Sequence, residues 1–299
     1  MIEKFIIDTD IGDDIDDAYA IAFLSQEIKD RVIGITTVFK NAEQRAKIVS
    51  HLIKLLDWNI QVASGESKPL KKDISFLPFE KVCDKPQITQ YRESFRNEKF
   101  SNMHAVDFIL DSIKKNECVS LVCIGPLTNI ALAIKKDPIT FKKVRRLVIM
   151  GGAFTCKYVE WNVKCDPEAF EIVVNSGVKL QFVGHDITKN ALFTQEDVDY
   201  LKTLQGKPLK FLNDITSRYL EYYDHTRLPC MHDPLTVSVL TKKYVKFKKG
   251  NLVVDMKEKP GLCILGDKGV PIEYAVKARN KCFKKFLIKK LILLNKKSQ

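Results

Sequence analysis

Short, continuously apolar runs alternate with helical patterns along the first two thirds of this 299-residue chain, and that rhythm leaves few folds open. The runs at 4–8, 32–39, 59–65, 118–125, 145–152 and 179–184 are rich in Val, Ile and Leu and too short to be helices. Strands with no polar alternation are buried on both faces. Between them, 16–26, 41–57, 104–116, 126–136 and 167–177 place apolar residues at helical spacing. Residues 66–100, with Pro69, Pro78 and Pro86, read as irregular. Later, helical patterns cover about 194–223 and 233–241; NLVVDM, GLCILG and VPIEYAV then read as added antiparallel strands, before an amphipathic C-terminal helix. The order predicts an α/β fold, an open, mostly parallel, Rossmann-like sheet with helices on both faces. No repeat or Gly/Ser-rich linker interrupts it, so 1–299 reads as one domain.

Charge narrows the partners. The net charge is +12, but 277–299 holds nine Lys/Arg and no acid, leaving 40 basic against 37 acidic residues elsewhere. A nucleic-acid protein more often carries its charge on a face of the folded body. The basic tail therefore reads as a terminal helix docked by Phe283, Phe286, Leu287, Leu291 and Leu294, with its lysines in solvent. The competing reading is a binder of nucleic acid or anionic membrane through that helix. Neither a membrane nor a nucleic-acid partner is expected: no run approaches the roughly 20 apolar residues of a span. The opening MIEKFIIDTDIGDD lacks the pattern of a secretory signal. The eight cysteines include no C-x-x-C pair and no zinc spacing, which suggests a reduced, cytoplasmic protein.

In open parallel sheets ligands bind beyond the carboxyl ends of the strands. The first strand runs directly into DTDIGDDIDD, where Asp8, Asp10, Asp13, Asp14, Asp16 and Asp17 put six carboxylates in ten residues. Such crowding raises proton affinity unless a cation compensates, and an all-oxygen donor set suits Ca²⁺ or Mg²⁺. Asp16 or Asp17 also suits the start of the following helix, where the dipole favours acids. Capping does not account for Asp8 and Asp10. The segment lacks the Gly and Glu of an EF-hand loop, and it lacks G-x-G-x-x-G. Asp8-Thr9-Asp10-Ile11 resembles the D-x-D opening of haloacid-dehalogenase-like phosphotransferases, although Gly12 stands where Thr or Val belongs. That resemblance implies the alternative of a Mg²⁺-dependent phosphatase with Asp8 as nucleophile.

Three more segments lie at predicted strand exits or helix starts: GPLTNIALA (125–133), MGGAF (150–154) leading into VEWNVKCDPEA (159–169), and HDPL (232–235). Together with DTDIGDDIDDAYAI, this ordered set resembles the inosine-uridine-preferring nucleoside hydrolase (nucleoside N-ribohydrolase) family, from about residue 3 to about residue 276. The resemblance implies Ca²⁺-dependent hydrolysis of the N-glycosidic bond of ribonucleosides, a purine or pyrimidine salvage reaction, by a homodimer or homotetramer. It implies metal ligands at Asp10, Asp17, the Thr128 carbonyl and Asp233. It makes Asp10 the general base on a metal-held water, and places Asp16, Asn41, Glu160 and Asn162 against the sugar. His232 is then either the acid that assists the leaving base or a support for Asp233, and Trp161 either a base contact or core packing. His185, at a strand end, reads as structural; Tyr222, Tyr223 and His225 read either as a contact for the base or, in preference, as plain surface; and Cys165 has no visible partner for a nucleophile's role. The opening motif is two residues longer than the family's D-x-D-P-G-x-D-D, with Ile11 in place of Pro, which leaves the roles of Asp13 and Asp14 open. Lys40 stands where Gly is usual, and no Asn follows MGG to meet a 5′-hydroxyl.

Overall fold

The computed structural model describes residues 2–71 and 89–296. Pro78, Pro86 and Cys83 lie outside them, as do the last three residues of the basic tail. Nine strands form one sheet: β1 (Lys4–Thr9), β2 (Val32–Thr37), β3 (Gln61–Ser64), β4 (Val119–Cys123), β5 (Leu147–Met150), β6 (Leu180–Val183), β7 (Val245–Asp255), β8 (Leu262–Gly266) and β9 (Val270–Ala278). Their order across the sheet is β3-β2-β1-β4-β5-β6-β9-β7-β8. The first six strands are parallel, and β9 continues them parallel to β6. β7 is antiparallel to both β8 and β9. The parallel sheet and the antiparallel addition match the pattern read from the apolar runs.

Alternate residues of β1 feed two separate cores, as strand geometry requires. Phe5 and Ile7 pack with helices Asp16–Glu27, Ala42–Leu55 and Lys207–Tyr222. Ile6 packs with helices Ala105–Lys115, Thr128–Lys136 and Pro167–Val174. The sheet is thereby covered on both faces, which is why its strands can be apolar throughout.

The chain passes from β1 to β2 and β3 in one direction, then returns to β4 and proceeds in the other. The β1/β4 boundary is thus the switch point, where a crevice opens beyond the strand ends. The helical patterns expected over about 194–223 resolve into two helices, Gln195–Lys202 and Lys207–Tyr222, parted near Gly206 and Pro208, residues that suit a helix start. The C-terminal helix Asn280–Ile292 docks through Phe283, Leu287 and Leu291, with Leu294 just beyond it also buried and Phe286 partly so. Among the described residues no helix is long and apolar enough to cross a membrane.

Candidate active site

Asp10 leaves the end of β1 at the switch point. Ile124, at the end of β4, donates its N–H to the Asp8 carbonyl at 2.8 Å, which keeps the two strand exits together. A Cβ on Gly125 would stand 2.7 Å from Asp10 Oδ1 and 2.9 Å from its backbone nitrogen, so glycine is what lets the carboxylate lie against the β4 exit.

Two helix N-termini then bring the remaining acids in. Asp16 and Asp17 occupy the first turn of Asp16–Glu27, and Asp233 the first turn of His232–Ser238. The Asp233 N–H donates to Asp16 Oδ2 at 3.1 Å, and the Thr9 hydroxyl donates to Asp17. Carboxylate oxygens of Asp16, Asp17 and Asp233 lie within 4.8 Å of one another, all three residues buried. Burial first, and then the charge of neighbouring aspartates, hold all three well above the usual carboxylate range. Asp10 is pushed up to about 7 by burial, against the pull of Arg45. Three crowded, buried, all-oxygen donors fit a hard divalent cation, which would relieve the repulsion. The geometry gathers Asp16 rather than Asp10 with Asp17 and Asp233; Asp10 faces that group closely enough to raise both partners.

A cavity of about 340 Å³ opens from this acidic end. Glu160 caps the helix Trp161–Cys165, accepting from Asn162 N at 3.0 Å, Gly152 N at 3.2 Å and Val163 N at 3.3 Å. Burial nonetheless raises it to about 7. Asn162 Nδ2 donates to the carbonyls of Ile124 (3.2 Å) and Met150 (3.3 Å), spanning the ends of β4 and β5. Both side chains, with Trp161, line the cavity. His232 closes another wall: its Nδ1 meets the Thr188 hydroxyl at 2.8 Å and its ring stacks on His185, centroids 5.2 Å apart. Burial, with His185 and Arg227 nearby, pushes it down to about 3, so the ring is neutral.

The predicted residues do not all arrive. Asn41 is exposed and does not line the cavity; the left-handed run 39–41 gives that wall to Phe39 and Lys40. Thr128 is buried with its hydroxyl donating to Asp166 at 2.7 Å; its side chain does not line the cavity, and the ligand expected of it is its backbone carbonyl. Asp8, the nucleophile of the phosphatase alternative, is 1% exposed, and Oδ1 accepts from Thr36 (2.5 Å) and Asn129 (2.8 Å). It does not reach the cavity, so that alternative falls.

Other residues arrive against the preferred reading. His185, read as structural, and Tyr222 and Tyr223, read as surface in preference to a base contact, line the cavity, whereas His225 is exposed. His185 lies two residues beyond the end of β6, so the strand-exit rule marks it. Arg227 pairs with Asp14 at 3.4 Å and lies 4.8 Å from the Tyr223 ring centroid. No local pattern announced Arg45, fully buried and paired with Asp13 at 2.8 Å.

Comparison with known proteins points to one family. The family model described as inosine-uridine preferring nucleoside hydrolase matches residues 5–284. Uridine nucleosidase 1 of Arabidopsis thaliana is 32% identical over 277 residues, covering 88% of this chain and 80% of its own. The inosine-uridine preferring nucleoside hydrolase of Leishmania major is 32% identical over 251 residues, 80% of this chain and 78% of its own. Among solved structures, a purine-preferring ribonucleoside hydrolase from Gardnerella vaginalis superposes with a TM-score of 0.83 at 29% identity, covering 98% of this chain and 99% of that one.

Proposed function

This chain belongs to the inosine-uridine preferring nucleoside hydrolase family and is an enzyme of that class, and we propose that it hydrolyses the N-glycosidic bond of ribonucleosides with Ca²⁺ at its acidic end, giving ribose and free base. The observation that carries this reading is the convergence of Asp16, Asp17 and Asp233 beside Asp10 in a cavity also lined by Trp161, Tyr222 and Tyr223.

Asp17 and Asp233 would hold the ion with Asp16 against them, and the family resemblance adds Asp10 and the Thr128 carbonyl to the set. When bound, Ca²⁺ neutralises these carboxylates and polarises water and sugar hydroxyls. Asp16, fixed by the Asp233 N–H, takes a ribose hydroxyl. Asp10 accepts the proton of the water that attacks the anomeric carbon as the C–N bond breaks. N-glycoside cleavage builds positive charge on the sugar ring, and Glu160 and Asn162, locked by their backbone hydrogen bonds, present oxygen dipoles to it without reorganising. The departing base needs a hydrogen bond. His232, neutral and anchored through Nδ1 on Thr188, presents Nε2–H from its cavity wall. His185, Trp161, Tyr222 and Tyr223 supply stacking surface around it. We place the reaction in cytoplasmic nucleoside salvage, by a single-domain subunit of a homo-oligomer, on the strength of the family resemblance.

The test is a panel of uridine, cytidine, inosine, guanosine and adenosine, read by release of reducing sugar. At least one releases ribose; a chelator abolishes this and Ca²⁺ restores it. Asp10→Asn lowers kcat by roughly 10²–10⁴-fold with an unchanged circular dichroism spectrum. Full activity in the chelator, or no sugar released from any nucleoside, overturns the reading. The relatives' names divide between uridine and purines, so the panel also assigns the base.

A further inference from the structure

We propose that Arg45 is a positioning residue that clamps the acidic loop and the turn at 39–41 into one rigid wall of the reaction site. Arg45 sits in the first turns of the helix Ala42–Leu55 and is 0% exposed, the largest fully buried side chain among the described residues. Its guanidinium addresses two loops at once. Nε donates to the carbonyls of Phe39 (2.7 Å) and Lys40 (2.9 Å). Nη1 donates to the carbonyls of Ile11 (3.0 Å) and Asp10, and Nη2 to Asp13 at 2.8 Å. Four carbonyl oxygens converging on one dry point repel one another unless a cation sits among them, and only a guanidinium offers a planar fork of donors for them.

What it holds is otherwise unfavourable. Phe39, Lys40 and Asn41 have φ of 70°, 23° and 47°, three consecutive non-glycine residues in the left-handed region. Such strain persists only where the surroundings over-determine it. The amides of Phe39 and Lys40 are bound to Glu66 O (2.7 Å) and Ser67 O (2.9 Å), and Arg45 binds both carbonyls. Phe39, Lys40 and Asp10, whose carbonyls Arg45 binds, all line the cavity. The first loop also needs restraint: it is two residues longer than the family pattern and has Ile11 where the ring of Pro would stiffen it. Arg45 grips the Ile11 carbonyl and Asp13 within that stretch. The fixed positive charge lets the aspartates stay gathered with or without a divalent ion, so the site is built before the ion arrives.

This inference takes the acidic end as the reactive one, as proposed above, but its test does not require turnover. The variants are Arg45→Lys, which keeps the charge and loses the fork, and Arg45→Met, which loses both. Calcium titration without nucleoside should show at least tenfold weaker binding in both variants. Amide exchange across 38–41 should speed up at least tenfold in both, and kcat on the best nucleoside should fall at least 30-fold. Arg45→Lys matching wild type in ion affinity and exchange would overturn the clamp, because charge alone would then suffice. Should neither variant fold, wild-type exchange decides. Segments 10–13 and 38–41 as protected in chelated protein as in Ca²⁺-loaded protein support the clamp, and either segment exchanging like unstructured chain after chelation ends it. A wild type inactive on every nucleoside would sink the proposed function and leave these exchange results standing.

Discussion

Glu160 combines two opposed demands. Three backbone N–H groups stabilise its carboxylate, yet burial outweighs them and raises it to about 7. A carboxyl with a raised folded value binds its proton more tightly folded than unfolded. The stability it contributes is therefore fully present below its unfolded value of 4.5 and is lost as pH rises through about 7. Chelated protein should accordingly melt at a lower temperature at pH 8 than at pH 5, and Glu160→Gln should shrink that difference. Melting scans at the two pH values check this; an identical slope in the variant would show that Glu160 does not titrate in that window. Glu160 was legible because its motif is contiguous: Glu160, Trp161 and Asn162 are neighbours in sequence and share one short helix start. Arg45 was not, because its partners are backbone carbonyls, and main-chain acceptors leave no mark on the residue types around them. Asn41 failed for a related reason: side-chain identity does not reveal the left-handed backbone that turns it outward.

Among elements, the strand exits matter most. The β4 exit carries Gly125, whose missing side chain makes room for Asp10. Gly125→Ala places a methyl carbon 2.7 Å from Asp10 Oδ1, against backbone as well as side chain. The expected result is a fall in kcat of at least tenfold with a native circular dichroism spectrum, and an alanine variant of wild-type activity would show that Asp10 has room to move. The strands themselves were readable because both faces are buried and the apolar runs are uninterrupted. Helix ends were less so. The break near Gly206 depends on a glycine and a proline that an apolar-spacing argument passes over. The short helix His185–Thr188 is one turn, below the length at which periodicity can speak. With it went His185, which the structure sets against His232.

For the whole molecule, the C-terminal helix closes one core. Leu287 is 0% exposed within the cluster that includes Phe23 and Tyr19 of the site-bearing helix. Leu287→Ala should cost about 2–5 kcal/mol in urea unfolding, the usual range for emptying such a position. The exposed Lys285→Gln should stay within about 0.5 kcal/mol of wild type. If the lysine change proved the costlier one, the tail would be held by charge rather than by its apolar side. The fold class and the acidic loop were thus foreshadowed by contiguous sequence, while the strand order that sets the switch point and the aromatic lining come from segments far apart in the chain.

Asp10 follows the first strand and Asp16, Asp17 and Asp233 open two helices, whereas Tyr222, Tyr223 and Arg227 belong to one stretch ending a different helix. Substitutions in that stretch alter the cavity lining without touching the acidic residues, so under the proposed function base preference and bond-breaking should vary independently.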